Sequence, residues 1–331
     1  MPTPSLYADN HSAGFEKIPA PLQNNSFNIL YVTDRHPFRD ELENLNYNFQ
    51  RSRSLAYGNV TIKTTSEISW TKLVTESQVA ERTEEIELSI DLITEQARFP
   101  ETPYPLIKQS NGDIIEDPAT LQEARELNQK FHAELSQRLA IAPRKEVLIY
   151  VHGVSNTFAD AAYALAELWH FNAREMVPIL YTWPAGRGGA AGYAYDRESG
   201  EFTIFHLKQF LRSLAAHPGI EKIHILAHSR GTDIISTALR ELFLVSIGAG
   251  KDPGDVYRIE NLILVAPDID TEVLSQRLIA ERIGDDIKQL SVYTSAGDRA
   301  IRLSQILFSS VNRLGNLVGR SRYRGEKQRI P

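Results

Sequence analysis

The sequence predicts an α/β protein: a mostly parallel sheet with helices on both faces and β-rich additions on its N-terminal side. Three observations carry this. From residue 146 onward, short apolar runs of strand length alternate with amphipathic helical segments. Those runs are apolar on both faces, as strands of a parallel sheet covered by helices must be. The first hundred residues instead contain short stretches of period-two alternation rich in β-branched side chains, the pattern of half-exposed strands.

Residues 1–26 read as a flexible arm, with Pro2, Pro4, Pro19 and Pro21, the pair Asn24-Asn25, and no periodicity. Residues 27–32 (FNILYV) form a buried strand, and 37–57 are polar and irregular. Residues 59–64 and 86–91 alternate as strands, with Ile86, Leu88 and Ile90 on one face. A loop marked by Pro, Asn and Gly covers 100–116. Asp117-Pro118 then opens a helix to about residue 139, with Asp at the N-cap and Pro at the first helical position.

The alternating region follows. A strand at 147–151 precedes a helix that Thr157 caps, with Phe158, Ala161, Ala162, Leu165 and Trp169 on one stripe. Next come a strand at 177–182, a glycine-rich loop at 186–192, and a helix at about 202–215. Strands at 222–227, 262–266 and 290–293 then precede helices at 231–245, 271–283 and 299–314. This gives one domain over 27–315, followed by a basic, glycine-containing flexible tail at 316–331.

Composition bounds the function. The chain has 331 residues, 42% hydrophobic and 24% charged, with a formal net charge of -6. That is enough apolar material for a sizeable core. The negative balance argues against nucleic acid as a partner. No apolar run approaches the roughly 18 residues of a membrane helix, and the N-terminus lacks a signal-peptide pattern. There are no cysteines, which excludes disulfides, thiolate catalysis and cysteine metal centres. A cytoplasmic location is expected, with no cofactor and no metal. Oligomeric state is not legible.

The chemistry centres on Ala227-His228-Ser229-Arg230-Gly231, between an apolar strand and a helix. It matches G-x-S-x-G with alanine for the first glycine. Small residues on either side of a serine allow a sharp strand-to-helix turn that projects the hydroxyl from the top of the sheet. An ordinary turn with Ser229 as helix cap is the bland alternative. An oxyanion hole needs two backbone N–H groups aimed at one point. Arg230 would supply the first. The turn His152-Gly153-Val154 would supply the second from Val154, with Gly153 letting the backbone approach a substrate oxygen.

The acid of a triad belongs after a later strand, and Asp298 in SVYTSAGDRAIRLS is the first choice. Asp268 and Asp270 in VAPDID are the alternatives, and all three could simply cap helices. The base is missing from its usual place. The nine histidines stand at 11, 36, 132, 152, 170, 206, 217, 224 and 228, and none follows Ser229. His228 starts on the opposite strand face from its neighbour, and His152 lies on the oxyanion turn. The glycine loop Gly186–Gly192 lacks a Lys-Ser/Thr, so a lid fits it better than a phosphate cradle. His224 and His228 share a strand face but have no third metal ligand.

The segments VLIYVHGVSNTFADAAYALAEL, PILYTWPAGRG, YAYDRES, IHILAHSRGTD, LILVAPDID and VYTSAGDRAIRLS resemble, in this order, the bacterial α/β-hydrolase family of unknown function. ILYVTDR and RSRSLAYGNVTI resemble its leading strands. The resemblance spans roughly residues 27 to 315. It implies an α/β-hydrolase fold, esterase- or lipase-like, with Ser229 as nucleophile and a small-molecule ester or acyl substrate. Members of the family usually continue into a last strand and a histidine, so this sequence reads as one lacking the last β-unit. A non-catalytic scaffold that binds a ligand or protein partner is the alternative function.

Overall fold

A computed structural model describes residues 14–79, 82–189 and 191–294. Its strands are β1 (Ser26–Arg39), β2 (Leu45–Thr64), β3 (Leu88–Arg98), β4 (Leu106–Lys108), β5 (Ile114–Glu116), β6 (Glu146–Val151), β7 (Val177–Thr182), β8 (Lys222–His228), β9 (Ile259–Val265) and β10 (Gln289–Tyr293). The helices are α1 (Trp70–Gln78), α2 (Pro118–Ile141), α3 (Phe158–Phe171), α4 (Gly192–Ala216), α5 (Gly231–Gly248), α6 (Pro253–Tyr257) and α7 (Thr271–Leu274).

Among the described residues, eight strands form one sheet in the order β10-β9-β8-β6-β7-β1-β2-β3, and β4 pairs separately with β5. β10, β9, β8, β6, β7 and β1 run parallel, whereas β2 and β3 are antiparallel additions. The fold is thus an α/β-hydrolase fold with a mostly parallel sheet. β6 and β7 are buried along their whole length, which is why their sequences are continuously apolar. One face of the sheet packs Phe131, Leu135, Phe210 and Leu239 of α2, α4 and α5. The other packs Phe158, Leu165 and Trp169 of α3.

Several local expectations hold for physical reasons. Asp117 caps α2 by accepting from the Thr120 N–H, with Pro118 at the first helical position. Thr157 and Asp160 form a reciprocal capping box on α3. Other expectations are corrected. Residues 37–57 are not irregular, because β1 and β2 run on as a long hairpin through Arg39 and Leu45. At the start of β2, Leu45, Tyr47 and Phe49 alternate with the polar Asn46, Asn48 and Gln50, and Tyr47 is buried against Tyr31 and Phe158, so a short period-two pattern marks one face of the ribbon. The described part of the expected arm, from Gly14 on, is folded: Phe15 and Ile18 are buried, and the Phe15 ring tilts onto His170 at 5.0 Å. The helix expected at 202–215 begins ten residues earlier, at Gly192, directly on the glycine loop. The segment 271–283 is an irregular succession of short helical turns, not one helix.

Candidate active site

The parallel strands β6, β8 and β9 end on the same edge of the sheet, where α/β folds place their ligands. Three non-glycine residues with left-handed backbone follow these ends: Ser155 (φ 59°), Ser229 (φ 52°) and Ala266 (φ 44°). Such conformations cost about 1–3 kcal/mol each and cluster where the structure over-determines them.

Ser229 occupies the junction between β8 and α5, as the elbow reading requires. Its N–H donates to the Val265 carbonyl at 2.9 Å. Its own carbonyl accepts from the N–H groups of Thr232 (3.1 Å) and Asp268 (3.3 Å), and from the Thr232 hydroxyl (2.6 Å). The small-residue requirement is visible directly. A Cβ on Gly231 would lie 2.5 Å from the carbonyl oxygens of Val151 and His152. A Cβ on Gly153 would lie 2.8 Å from the Ser229 Cβ and 3.2 Å from His228 Nδ1. The ends of β6 and β8 therefore touch here, and they do so because neither glycine carries a side chain.

Arg230 is the N-cap of α5, and Val154 begins the turn after Gly153. Among the described residues, neither backbone N–H has a hydrogen-bond acceptor. The Arg230 side chain turns away to Asp233 at 2.8 Å.

His152 is built into the scaffold. Its ring stacks on Trp183 at 5.1 Å, its Nδ1–H donates to the Gly153 carbonyl (2.8 Å), and its Nε2 accepts from the Trp183 N–H (3.1 Å). Burial first, then the adjacent Arg35 guanidinium, holds its imidazole well below the ordinary histidine range. Arg35 is buried too. It bonds Thr182 Oγ1 (2.8 Å) and the carbonyls of Ala185 (2.7 Å) and Asn156 (2.8 Å), clamping β1 to the loops after β6 and β7. The His228 ring, although its residue starts on the opposite strand face, lies against Gly153 beside Ser229. His224, weighed as a metal ligand, bonds Glu146 (2.7 Å) and Asn261 (2.7 Å) instead.

Of the candidate acids, Asp268 is buried and adjoins the elbow through its N–H to Ser229. Its Oδ2 accepts from the Tyr193 hydroxyl at 2.5 Å. Asp270 caps α7 by accepting from the N–H groups of Glu272 and Val273. Asp298 and the tail at 316–331 lie outside the described residues.

In the sequence, Tyr193, Tyr195, Asp196 and Arg197 stand beside the glycine loop, where they could line a pocket mouth or pack the loop down; the structure puts them on the first turn of α4. Tyr193 reaches Asp268, and one oxygen of the buried Asp196 accepts from the N–H groups of Ser155 (2.8 Å) and Gly186 (3.1 Å). A single helical turn thereby ties together the loops after β6, β7 and β9. The run Tyr193-Ala194-Tyr195-Asp196 stood next to the glycine loop, but no periodicity announced its long-range partners.

No cluster of three or more potential metal ligands occurs among the described residues, and none of their helices is long and apolar enough to cross a membrane. No curated protein matches the sequence. Among solved structures, the chain is similar to an esterase of Pyrobaculum calidifontis at 10% identity and a TM-score of 0.25, over 56% of this chain and 64% of the esterase. A family model, alpha/beta hydrolase of unknown function (DUF900), matches residues 127–329, more than half of the sequence. With its eight-stranded, mostly parallel sheet and that match, the chain belongs to this α/β-hydrolase family of unknown function.

Proposed function

We propose that this protein is a serine hydrolase acting on a small ester or acyl substrate. The observation that carries the reading is Ser229 itself: a half-buried serine with left-handed backbone at a strand–helix junction, wedged between two glycines that admit no Cβ. Ordinary helix caps have extended backbone and need no such wedge. In the proposed reaction the Ser229 Oγ attacks the substrate carbonyl and gives its proton to water, the ester C–O bond breaks and the alcohol leaves protonated, and a second water cleaves the acyl-serine to release the acid and restore the hydroxyl. The N–H groups of Arg230 and Val154 receive the oxyanion, and Gly153 leaves room for it. Asp298 is the acid of first choice, with Asp268 and Asp270 as alternatives.

The reading has a consequence for rate. No histidine follows Ser229 in the sequence, and His152 commits both ring nitrogens to its neighbours. A serine hydroxyl that no imidazole reaches keeps only the roughly 10³–10⁴-fold advantage over water that an oxyanion hole and binding supply. Hydrolysis of p-nitrophenyl butyrate is expected above buffer, and lost in Ser229→Ala. A Ser229→Ala protein that keeps the full rate would overturn the assignment. The commitment of both His152 ring nitrogens to the fold favours a second reading, a scaffold that binds its ligand without turnover. That reading gains if the ester binds saturably and is never cleaved.

A further inference from the structure

A cavity lies away from Ser229. It has a volume of about 600 Å³, within the range of small-molecule sites, and opens between α2 and α4 over β1 and β2. None of its lining residues comes from the loops after β6, β8 or β9. Its walls are aromatic, and the rings brace one another. Tyr57 meets Phe131 edge-on at 5.1 Å and Phe99 at 6.3 Å, while Phe131 meets Phe210 at 6.2 Å. Walls held this way offer faces and edges to another flat ring.

Two polar features mark the cavity. Tyr57 is 3% exposed, yet its hydroxyl has no hydrogen-bond partner among the described residues. Burial, then the Glu134 carboxylate, raises its pKa, so the hydroxyl stays protonated and is a donor open to an acceptor in the cavity. The only formally charged lining residues are Arg125 and Arg212, both exposed at the mouth. Neither has an ion pair or hydrogen bond within the described residues, whereas Arg138, farther along α2, is paired with Glu134. Among the described residues, no carboxylate lines the cavity.

We propose that this cavity is a binding site for an aromatic carboxylic acid bearing an oxygen acceptor on its ring. The ring fills the aromatic cup, the carboxylate meets Arg125 and Arg212, and the ring oxygen accepts from the Tyr57 hydroxyl. The site is independent of the chemistry at Ser229.

Fluorescence titration with 6-hydroxy-2-naphthoate, 2-naphthoate and 2-naphthol tests it on the full chain. The expected result is saturable one-to-one binding of 6-hydroxy-2-naphthoate, unchanged in Ser229→Ala. Replacing both cations (Arg125→Gln with Arg212→Gln) should weaken the two acids at least tenfold and leave 2-naphthol unaffected. Tyr57→Phe should abolish the preference for 6-hydroxy-2-naphthoate over 2-naphthoate. Both variants alter groups without partners, so their melting temperatures should match the parent. The proposal is overturned if no saturable binding occurs. It is equally overturned if neither variant changes binding, or if phosphonylating Ser229 displaces the acid.

Discussion

Gly153→Ala isolates the contact on which the elbow depends. Gly153 does not have the left-handed backbone that penalises alanine, so the substitution adds only a methyl group. That methyl would sit 2.8 Å from the Ser229 Cβ and 3.2 Å from His228 Nδ1. Ordinary carbon–carbon contact is about 3.5–4.0 Å, so roughly 0.7 Å or more of relief must come from the elbow or the oxyanion turn. Overpacking of this kind costs about 1–3 kcal/mol. At about 2 °C per kcal/mol for a large domain, melting should fall by about 2–6 °C. Misplacing a reacting group by 1 Å costs as much as ~100-fold in rate. Phosphonylation of Ser229 by a fluorophosphonate should therefore slow by at least tenfold while the protein remains folded. The assay is stopped-time gel fluorescence beside a thermal melt. An alanine variant that melts and labels like the parent would show that Ser229 and Gly153 are not in contact, and the site geometry would have to be abandoned.

Three further outcomes follow from the same structure. Asp196→Ala leaves the Ser155 and Gly186 N–H groups without their acceptor and should lower stability by about 2–4 kcal/mol in urea unfolding. Asp196→Asn, which keeps one oxygen, should lose less. Stability should also fall with acidification from pH 7 to 5. Burial holds His152 well below 6.5 and His170 at about 3, so below 6.5 the unfolded chain takes up protons that the folded one refuses. Each histidine then contributes about 1.4 kcal/mol per pH unit, and melts that are flat from pH 7 to 5 would refute the burial of both. For the acid, Asp298→Asn should slow Ser229 labelling more than Asp268→Asn; the reverse order would move the role to Asp268.

The legibility of this fold divides near Glu146. Beyond it, the strands are buried on both faces and the sequence shows continuous apolar runs, so β6 to β10 could be placed within a few residues. Before it, the apolar face of the β1–β2 ribbon amounts to Leu45, Tyr47 and Phe49, a three-residue alternation flanked by polar and charged residues and too short to stand out. Ser229 and its glycines were legible because tight backbone approach limits residue size. The start of α4 was not. Gly192 and Tyr193 are poor helix formers, no side chain caps the helix, and the turn is held by Asp196 and by Arg51, which bonds Ser199 at 2.9 Å. Arg35 escaped notice for the same reason, since its partners are more than one hundred residues away in sequence.

The central claim is that Ser229 is a nucleophile, and covalent capture tests it most directly. The 331-residue protein is treated with an alkyl fluorophosphonate, digested, and the adduct located by peptide mass. The account predicts a single phosphonyl group on Ser229, absent from the heat-denatured protein and from Ser229→Ala. A folded protein that acquires no adduct, or acquires it equally on other serines, would contradict the account.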